Sequence, residues 1–288
     1  MEIEHPFDRY LRDGMIPHIW CEGCGNGIIL NCFIKAVQES DLDTNKLVVV
    51  SGIGCIGRIS GYINSDGFHT THGRAIAFAT GAKIANPSLD VVVISGDGDL
   101  FAIGGNHFIH AARRNLDIKV ICSNNFNYGM TGGQSGPTTP LEAWTMTTPY
   151  GNIERPFNLV HLASASGAVY VARWTVMHVT RLINSIKRTL QKKGFTFIEV
   201  VSPCPELFGR YNRMGDASEM LRWLSESSEI HHGYDTSMAD IGLRQKLILG
   251  EFVDIEKPEY SDLLNAANLR VRETLAKQER PTLVKLEG

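Results

Sequence analysis

No run of apolar residues approaches the ~18 that a membrane-spanning helix needs, which excludes a helical spanning protein. Neither sign of charge dominates. The 28 Lys and Arg residues stand against 31 Asp and Glu, a formal net charge of −3, so nucleic-acid binding through bulk positive charge is excluded as well. The opening residues, MEIEHPFDRYLRDG, hold no apolar stretch of the kind a secretion signal carries, and they predict a cytoplasmic protein. Internal repeats and low-complexity stretches are absent. Cysteine is sparse, at 6 of 288 residues, and in a reducing compartment these thiols are poor candidates for structural disulfides. What is present suits a folded core: 43% apolar residues, with 12 Phe, 8 Tyr and 4 Trp. Glycine is the outlier, its 28 residues clustering in short loops after apolar runs.

Four of those runs are β-branched: Leu47–Ser51, Val91–Ser95, Lys119–Ser123 and Thr196–Val201. Short continuous apolar runs predict strands buried on both faces, as in a parallel sheet. Helical segments alternate with them: Gly27–Glu39, with Ile28, Ile29, Cys32, Phe33, Ala36 and Val37 at helical spacing, then Arg74–Ala85, Gly105–Arg114 and Thr175–Lys192. The alternation predicts a doubly wound, mostly parallel α/β sheet, with ligands bound beyond the carboxyl ends of the strands. From Asp216 the chain turns charged and helical, ending in Tyr260–Gln278. This predicts a main domain over 1–215 and a C-terminal helical extension over 216–288 that caps the sheet or meets a partner.

Two strand ends carry the first chemical signal. The run VVVIS ends in Gly96, Asp97, Gly98 and Asp99, and KVICS ends in Asn124 and Asn125. A carboxylate at one strand tip and a carboxamide oxygen at the next are hard oxygen ligands suited to Mg²⁺ held together with phosphates. The flanking glycines let backbone N–H groups approach a diphosphate. Alone, GDG reads equally well as a plain turn; GDGD followed by NN, each behind a strand, reads as a site.

The cysteines give the second signal. Cys21 and Cys24 form a CxxC in WCEGCGNG, just before a helix, and no second CxxC exists. Cys32, on the apolar helix face, and Cys122, inside VICS, are read as core. Cys55, in GIGCIGR, and Cys204, in SPCP, each follow a strand, at the edge that carries GDG and NN. Cys21, Cys24, Cys55 and Cys204 therefore converge, and four thiolates fit either Zn²⁺ or a 4Fe–4S cluster.

Together these segments resemble the β subunits of 2-oxoacid:ferredoxin oxidoreductases, and most of all their 2-oxoglutarate members. The resemblance runs from about Pro17 to Asp216, through WCEGCGNG, GIGCIGR, FHTTHGRA, GDGDLFAIGGNHFIHAARRN, NNFNYGMTGGQSGPTTP and SPCP. It implies the thiamine diphosphate-binding fold. Asp97, the Asn125 side chain and the Asn127 backbone carbonyl would hold Mg²⁺. Ile53, Gly54, Cys55, Ile56, His72, Gly98, Asp99, Asn125, Asn127, Gly129 and Met130 would surround the cofactor, and the four cysteines would hold a 4Fe–4S cluster. The implied reaction is oxidative decarboxylation of a 2-oxoacid, with coenzyme A as co-substrate and ferredoxin as electron acceptor. Ile56 departs from the resemblance, which favours a smaller residue beside Cys55. His107 and His110, on the helix after GDGD, are read as packing or surface residues, and the bland reading of His72 is a cap on the helix that follows it.

No second glycine-rich half and no glutamate in a matching context is visible. The resemblance therefore implies an α subunit that supplies the aminopyrimidine side of the site and the activating glutamate. Arg58, close after Cys55, is a candidate partner for the distal carboxylate of 2-oxoglutarate. Three other readings compete: pyruvate or a branched-chain 2-oxoacid as the substrate, a non-redox thiamine diphosphate decarboxylase or synthase subunit, and a non-catalytic assembly protein with a structural metal.

Overall fold

The β-branched runs form the centre of one sheet. The structure, a computed structural model, describes residues 5–278. In chain order the strands are β1 (Leu47–Ser51), β2 (Asp66–His69), β3 (Asp90–Gly96), β4 (Lys119–Asn124), β5 (Asn127–Tyr128), β6 (Gln134–Ser135), β7 (Tyr170–Thr175), β8 (Thr196–Val201), β9 (Ser228–Ile230) and β10 (Leu247–Asp254). The helices are α1 (Asn26–Gln38), α2 (Ile59–Tyr62), α3 (Ala75–Ala85), α4 (Gly105–Arg113), α5 (Leu159–Ala165), α6 (Val179–Gln191), α7 (Ala217–Ser227) and α8 (Tyr260–Gln278). Eight strands make the sheet in the order β2-β1-β3-β4-β8-β7-β10-β9, while β5 and β6 form a separate hairpin. Every pairing from β2 through β7 is parallel. The strand β10 runs antiparallel to β7.

Side-chain alternation divides the core between the two faces of the sheet. From β1, Leu47 and Val49 pack with Ile29, Phe33 and Val37 of α1 and with Leu182 and Ile186 of α6. Val48 and Val50 pack on the other face with Ala75 and Ala79 of α3, Phe108 of α4 and Val160 of α5. Both faces are covered, which is why these strands read as unbroken apolar runs. Cys32 is buried in the first layer and Cys122 in the second, in accord with their reading as core. Ile56 is buried in the first layer as well.

The structure corrects the expected secondary structure in two places. The segment after Asp216 is helical in α7 and α8, but it also supplies β9 and β10, which extend the main sheet. The pattern of β10 is broken by Gly250 at φ +144° and by a register shift between Glu251 and Val253, so its alternation is hard to see in the sequence. Thr175, expected to open a helix, ends β7 instead, and α6 starts at Val179. The strand was masked by Arg173, a fully buried arginine inside an otherwise apolar run. Among the described residues no helix is long and apolar enough to cross a membrane.

Candidate functional site

The loops that follow β1, β3, β4 and β8 meet at one end of the sheet, where the parallel architecture places ligand sites. A cleft there is bordered by all eleven residues that the resemblance assigned to the cofactor, from Ile53 to Met130, together with Asp97, Ser123, Tyr128 and Thr131. After β3 the chain enters a π-helical turn, Gly98–Ile103, a form that often marks functional sites. Glycine at 98 leaves room for the Tyr128 ring, which a Cβ there would displace. Tyr128 carries no chemical signal in the sequence, yet its ring packs on Gly98, where the Asn127–Met130 loop meets GDG.

Asp99 borders the cleft, and its carboxylate is held by three neighbouring groups. Its Oδ1 accepts from the backbone N–H of Ile53 at 3.0 Å and of Gly73 at 2.7 Å, and its Oδ2 accepts from Ser95 Oγ at 2.9 Å. The carboxylate is therefore a clasp that ties the Ile53 loop to the His72–Gly73 turn. His72 Nδ1 lies 3.0 Å from Asp99 Oδ1, yet too poorly aligned for a hydrogen bond. Nor does His72 cap α3, since no side-chain cap is made at that N-terminus. It borders the cleft instead.

Asp97 is buried, and burial pushes its carboxyl up to about 6, against the pull of the Thr138 hydroxyl and the backbone amides of Asp97, Asn125 and Gly98. A desolvated carboxylate of this kind favours a bound cation. Asn125 lies beside it. Asn127 Nδ2 donates to the Asn125 carbonyl at 2.8 Å, while Asn127 Oδ1 is buried with no partner. An orphaned oxygen, a carboxylate and a second carboxamide form a donor set that fits Mg²⁺. Asn127 thus brings an unpartnered side-chain oxygen to this edge, beside the backbone carbonyl to which the resemblance points.

The raised Asp97 carboxyl makes the metal-free chain pH-sensitive. The folded state keeps this proton up to about pH 6, whereas an unfolded aspartate loses it near pH 4. The folded state binds more protons in that window, so its stability falls as pH rises from about 4 to about 6, by about 3 kcal/mol at most. Asp97→Asn is expected to flatten this part of the thermal-stability profile of the metal-free chain. An unchanged slope in the variant would assign the effect elsewhere.

The cysteines meet in a second cavity at the same end. Cys21, Cys24, Cys55 and Cys204 all line it, with Trp20, Arg58 and Leu207. Trp20 Nε1 donates to the Cys55 carbonyl at 2.6 Å and holds the loop after β1 against the CxxC segment. Burial, aided by the neighbouring cysteines, pushes Cys24 up to about 12 and Cys55 to about 11. Four thiolates can share this space only with a strongly cationic centre between them. Among the described residues no three His, Cys, Asp or Glu side chains close on a single ion. Cys55, Asn125, Gly129 and Met130 border both cavities.

Arg58 is exposed and lines the cysteine cavity, not the cleft of GDG and NN. His110 is exposed and His107 half-buried on α4, outside both cavities. One residue that sequence reasoning passed over is Thr138, whose hydroxyl donates to Asp97 Oδ2. Nothing in its spacing marks it, because the hairpin of β5 and β6 brings it back to the site.

Comparison with known proteins agrees with this geometry. Residues 52–200 match the profile of the thiamine pyrophosphate enzyme C-terminal TPP-binding domain. The 2-oxoglutarate synthase subunit KorB of Methanocaldococcus jannaschii is 54% identical over 91% of this chain and 96% of its own length. The KorB subunit of Archaeoglobus fulgidus is 50% identical over 86% of this chain and 92% of its own. Among solved structures, a 2-oxoglutarate:ferredoxin oxidoreductase from Magnetococcus marinus, with 2-oxoglutarate, coenzyme A and succinyl-CoA bound, superposes with a TM-score of 0.82 at 32% identity, covering 98% of both chains. The resemblance carried by the cysteine and glycine motifs is thereby borne out, and the chain belongs to the KorB family of 2-oxoglutarate synthase subunits, within the thiamine pyrophosphate-binding enzymes.

Proposed function

We propose that this chain is the β subunit of a 2-oxoglutarate:ferredoxin oxidoreductase. It would bind thiamine diphosphate and Mg²⁺ in the cleft between GDG and NN, and a 4Fe–4S cluster among Cys21, Cys24, Cys55 and Cys204. The observation that carries this reading is the shared border of the two cavities at Cys55, Asn125, Gly129 and Met130. Carbon chemistry and electron exit are adjacent, as an oxidative decarboxylation to succinyl-CoA and CO₂ requires. When bound, the cofactor supplies the electron sink for loss of CO₂. The residues of this chain bind and orient it. Asp97, Asn125 and Asn127 offer oxygen ligands to the metal, Asp99 fixes the Ile53 loop, and His72 borders the cleft. Burial around Asp97 keeps water away from the carboxylate that would carry charge.

An α subunit would supply the remaining half of the cofactor site, and ferredoxin would take up the electrons. Exposed Met130, Trp144, Met146, Tyr150 and Ile153 offer apolar surface for such a partner near the site. The test is anaerobic purification of the chain with its partner. A brown complex is expected, with broad visible absorption bleached by reductant and activity only when both subunits are present. A colourless, iron-free complex that still decarboxylates 2-oxoacids would establish the non-redox alternative.

Substrate choice is assigned to Arg58, which has no acidic partner among the described residues and stands at the cysteine side of the shared border. A charge pair with the distal carboxylate exists equally in ground and transition states. Arg58→Ala should therefore raise KM for 2-oxoglutarate and leave kcat little changed. The expected loss in kcat/KM is about 1.5–3 kcal/mol, roughly ten- to a hundredfold, with 2-oxobutyrate spared. Equal loss for both substrates would place Arg58 in support of the cysteine loop.

A further inference from the structure

Behind the metal-binding edge runs a line of buried polar residues that the site as described does not use. Arg173 of β7 and Glu199 of β8 are directly opposite in register, and Cys122 of β4 is opposite Glu199 on the other side. Asn124 lies two residues beyond Cys122, on the same face and diagonal to Glu199. Glu199 Oε2 accepts from Arg173 Nε at 2.7 Å and its Oε1 accepts from Asn124 Nδ2 at 2.7 Å. All three side chains are fully buried.

This arrangement has a direction. An ionised carboxylate only accepts, so Glu199 determines which end of the Asn124 amide faces it. The Asn124 oxygen is left to face Thr138 Oγ1 at 2.9 Å and the Phe126 N–H at 3.2 Å. Thr138 has one hydroxyl proton and two acceptors within reach, Asn124 Oδ1 and Asp97 Oδ2. The Phe126 N–H already serves Asn124, and a bond to a carboxylate is the stronger of the two. The proton therefore goes to Asp97.

We propose that Thr138 is a positioning residue for the divalent cation: its hydroxyl, aimed by Asn124 and Glu199, holds the Asp97 carboxylate in the orientation that ligates the metal. This rests on Asp97 being a metal ligand, as proposed above. Thr138 touches neither cation nor substrate in this role. Outer partners of metal ligands of this kind are worth roughly 10- to 100-fold in metal affinity.

The test uses the assembled complex freed of cofactor. Mg²⁺ is titrated by calorimetry with thiamine diphosphate in excess, in the parent and in Thr138→Val, Thr138→Ala, Thr138→Ser and Asp97→Asn. The Mg²⁺ concentration at half-saturation should rise roughly 10- to 100-fold in the Val and Ala variants, while Ser restores it. Iron content should stay at the parental level throughout, which a general loss of structure would not allow. If the Val variant does not fold, the Ala variant decides. Parental Mg²⁺ dependence in Thr138→Ala, with binding lost in Asp97→Asn, overturns the role of Thr138 alone. Retained binding in Asp97→Asn as well overturns the metal site on which it rests.

Discussion

Serine in place of Cys21, Cys24, Cys55 or Cys204 is expected to lower the iron content of the complex and to abolish ferredoxin reduction in each case. The side chains differ by one atom, but a serine hydroxyl offers a hard, weakly acidic oxygen where the cluster needs a soft thiolate. No other thiol is placed to substitute. Cys32 lies on the buried face of α1 and Cys122 within β4, in the two separate core layers. Replacing either by alanine should leave iron intact, with a cavity penalty of ~1–2 kcal/mol. Iron analysis and ferredoxin reduction on the six variants decide the assignment. If Cys122 proves essential for iron and Cys204 does not, the ligand set is wrong.

The second large effect is expected at Asp97. Asp97→Ala should lose Mg²⁺ and thiamine diphosphate together, since a divalent ion bridges diphosphate and protein. Loss of an outer partner alone weakens metal binding roughly 10- to 100-fold, and removal of the charged ligand should exceed that. The variant should still fold. Thr138 Oγ1 already lies 2.9 Å from Asn124 Oδ1 and can donate there when the carboxylate is gone. Removing a buried carboxyl that burial has pushed up to about 6 also relieves the metal-free chain at neutral pH. Asn125→Ala should weaken binding less, because it removes a neutral ligand. Calorimetry with thermal melts checks both halves of this expectation, and cofactor retained at normal stoichiometry in Asp97→Ala would remove the proposed site.

Much of this was legible in the sequence because the central strands and the site obey local rules. Leu47–Ser51 and Thr196–Val201 are strands at the expected bounds. The motifs sit at their carboxyl ends, so the convergence of Cys55, Cys204, Asp97 and Asn125 followed from the parallel sheet alone. The parts that escaped are non-local. The run YVARWT of β7 conceals a strand because Arg173 is tolerated there only through its pairing with Glu199 of β8. The hold of Asp99 on two backbone amides from separate loops is likewise invisible in its motif. Thr138 acquires a role only when the β5–β6 hairpin folds back. Arg58 follows Cys55 closely, and the short helical turn Ile56–Arg58 carries it toward the sulfurs.

In the turn Gly54–Cys55–Ile56, Cys55 belongs to the wall of both chambers, while its two neighbours border the cleft alone. Ile56 anchors it in the core, and Trp20 grips its carbonyl from the other side. A displacement of this turn moves a sulfur and the lining of the carbon site by the same amount. With the proposed cluster in one chamber and the proposed cofactor in the other, the two could not be retuned separately there, and a residue that suits one chamber is admissible only if it also suits the other. Cys55 therefore answers to two sets of neighbours at once, and neither chamber alone accounts for its place.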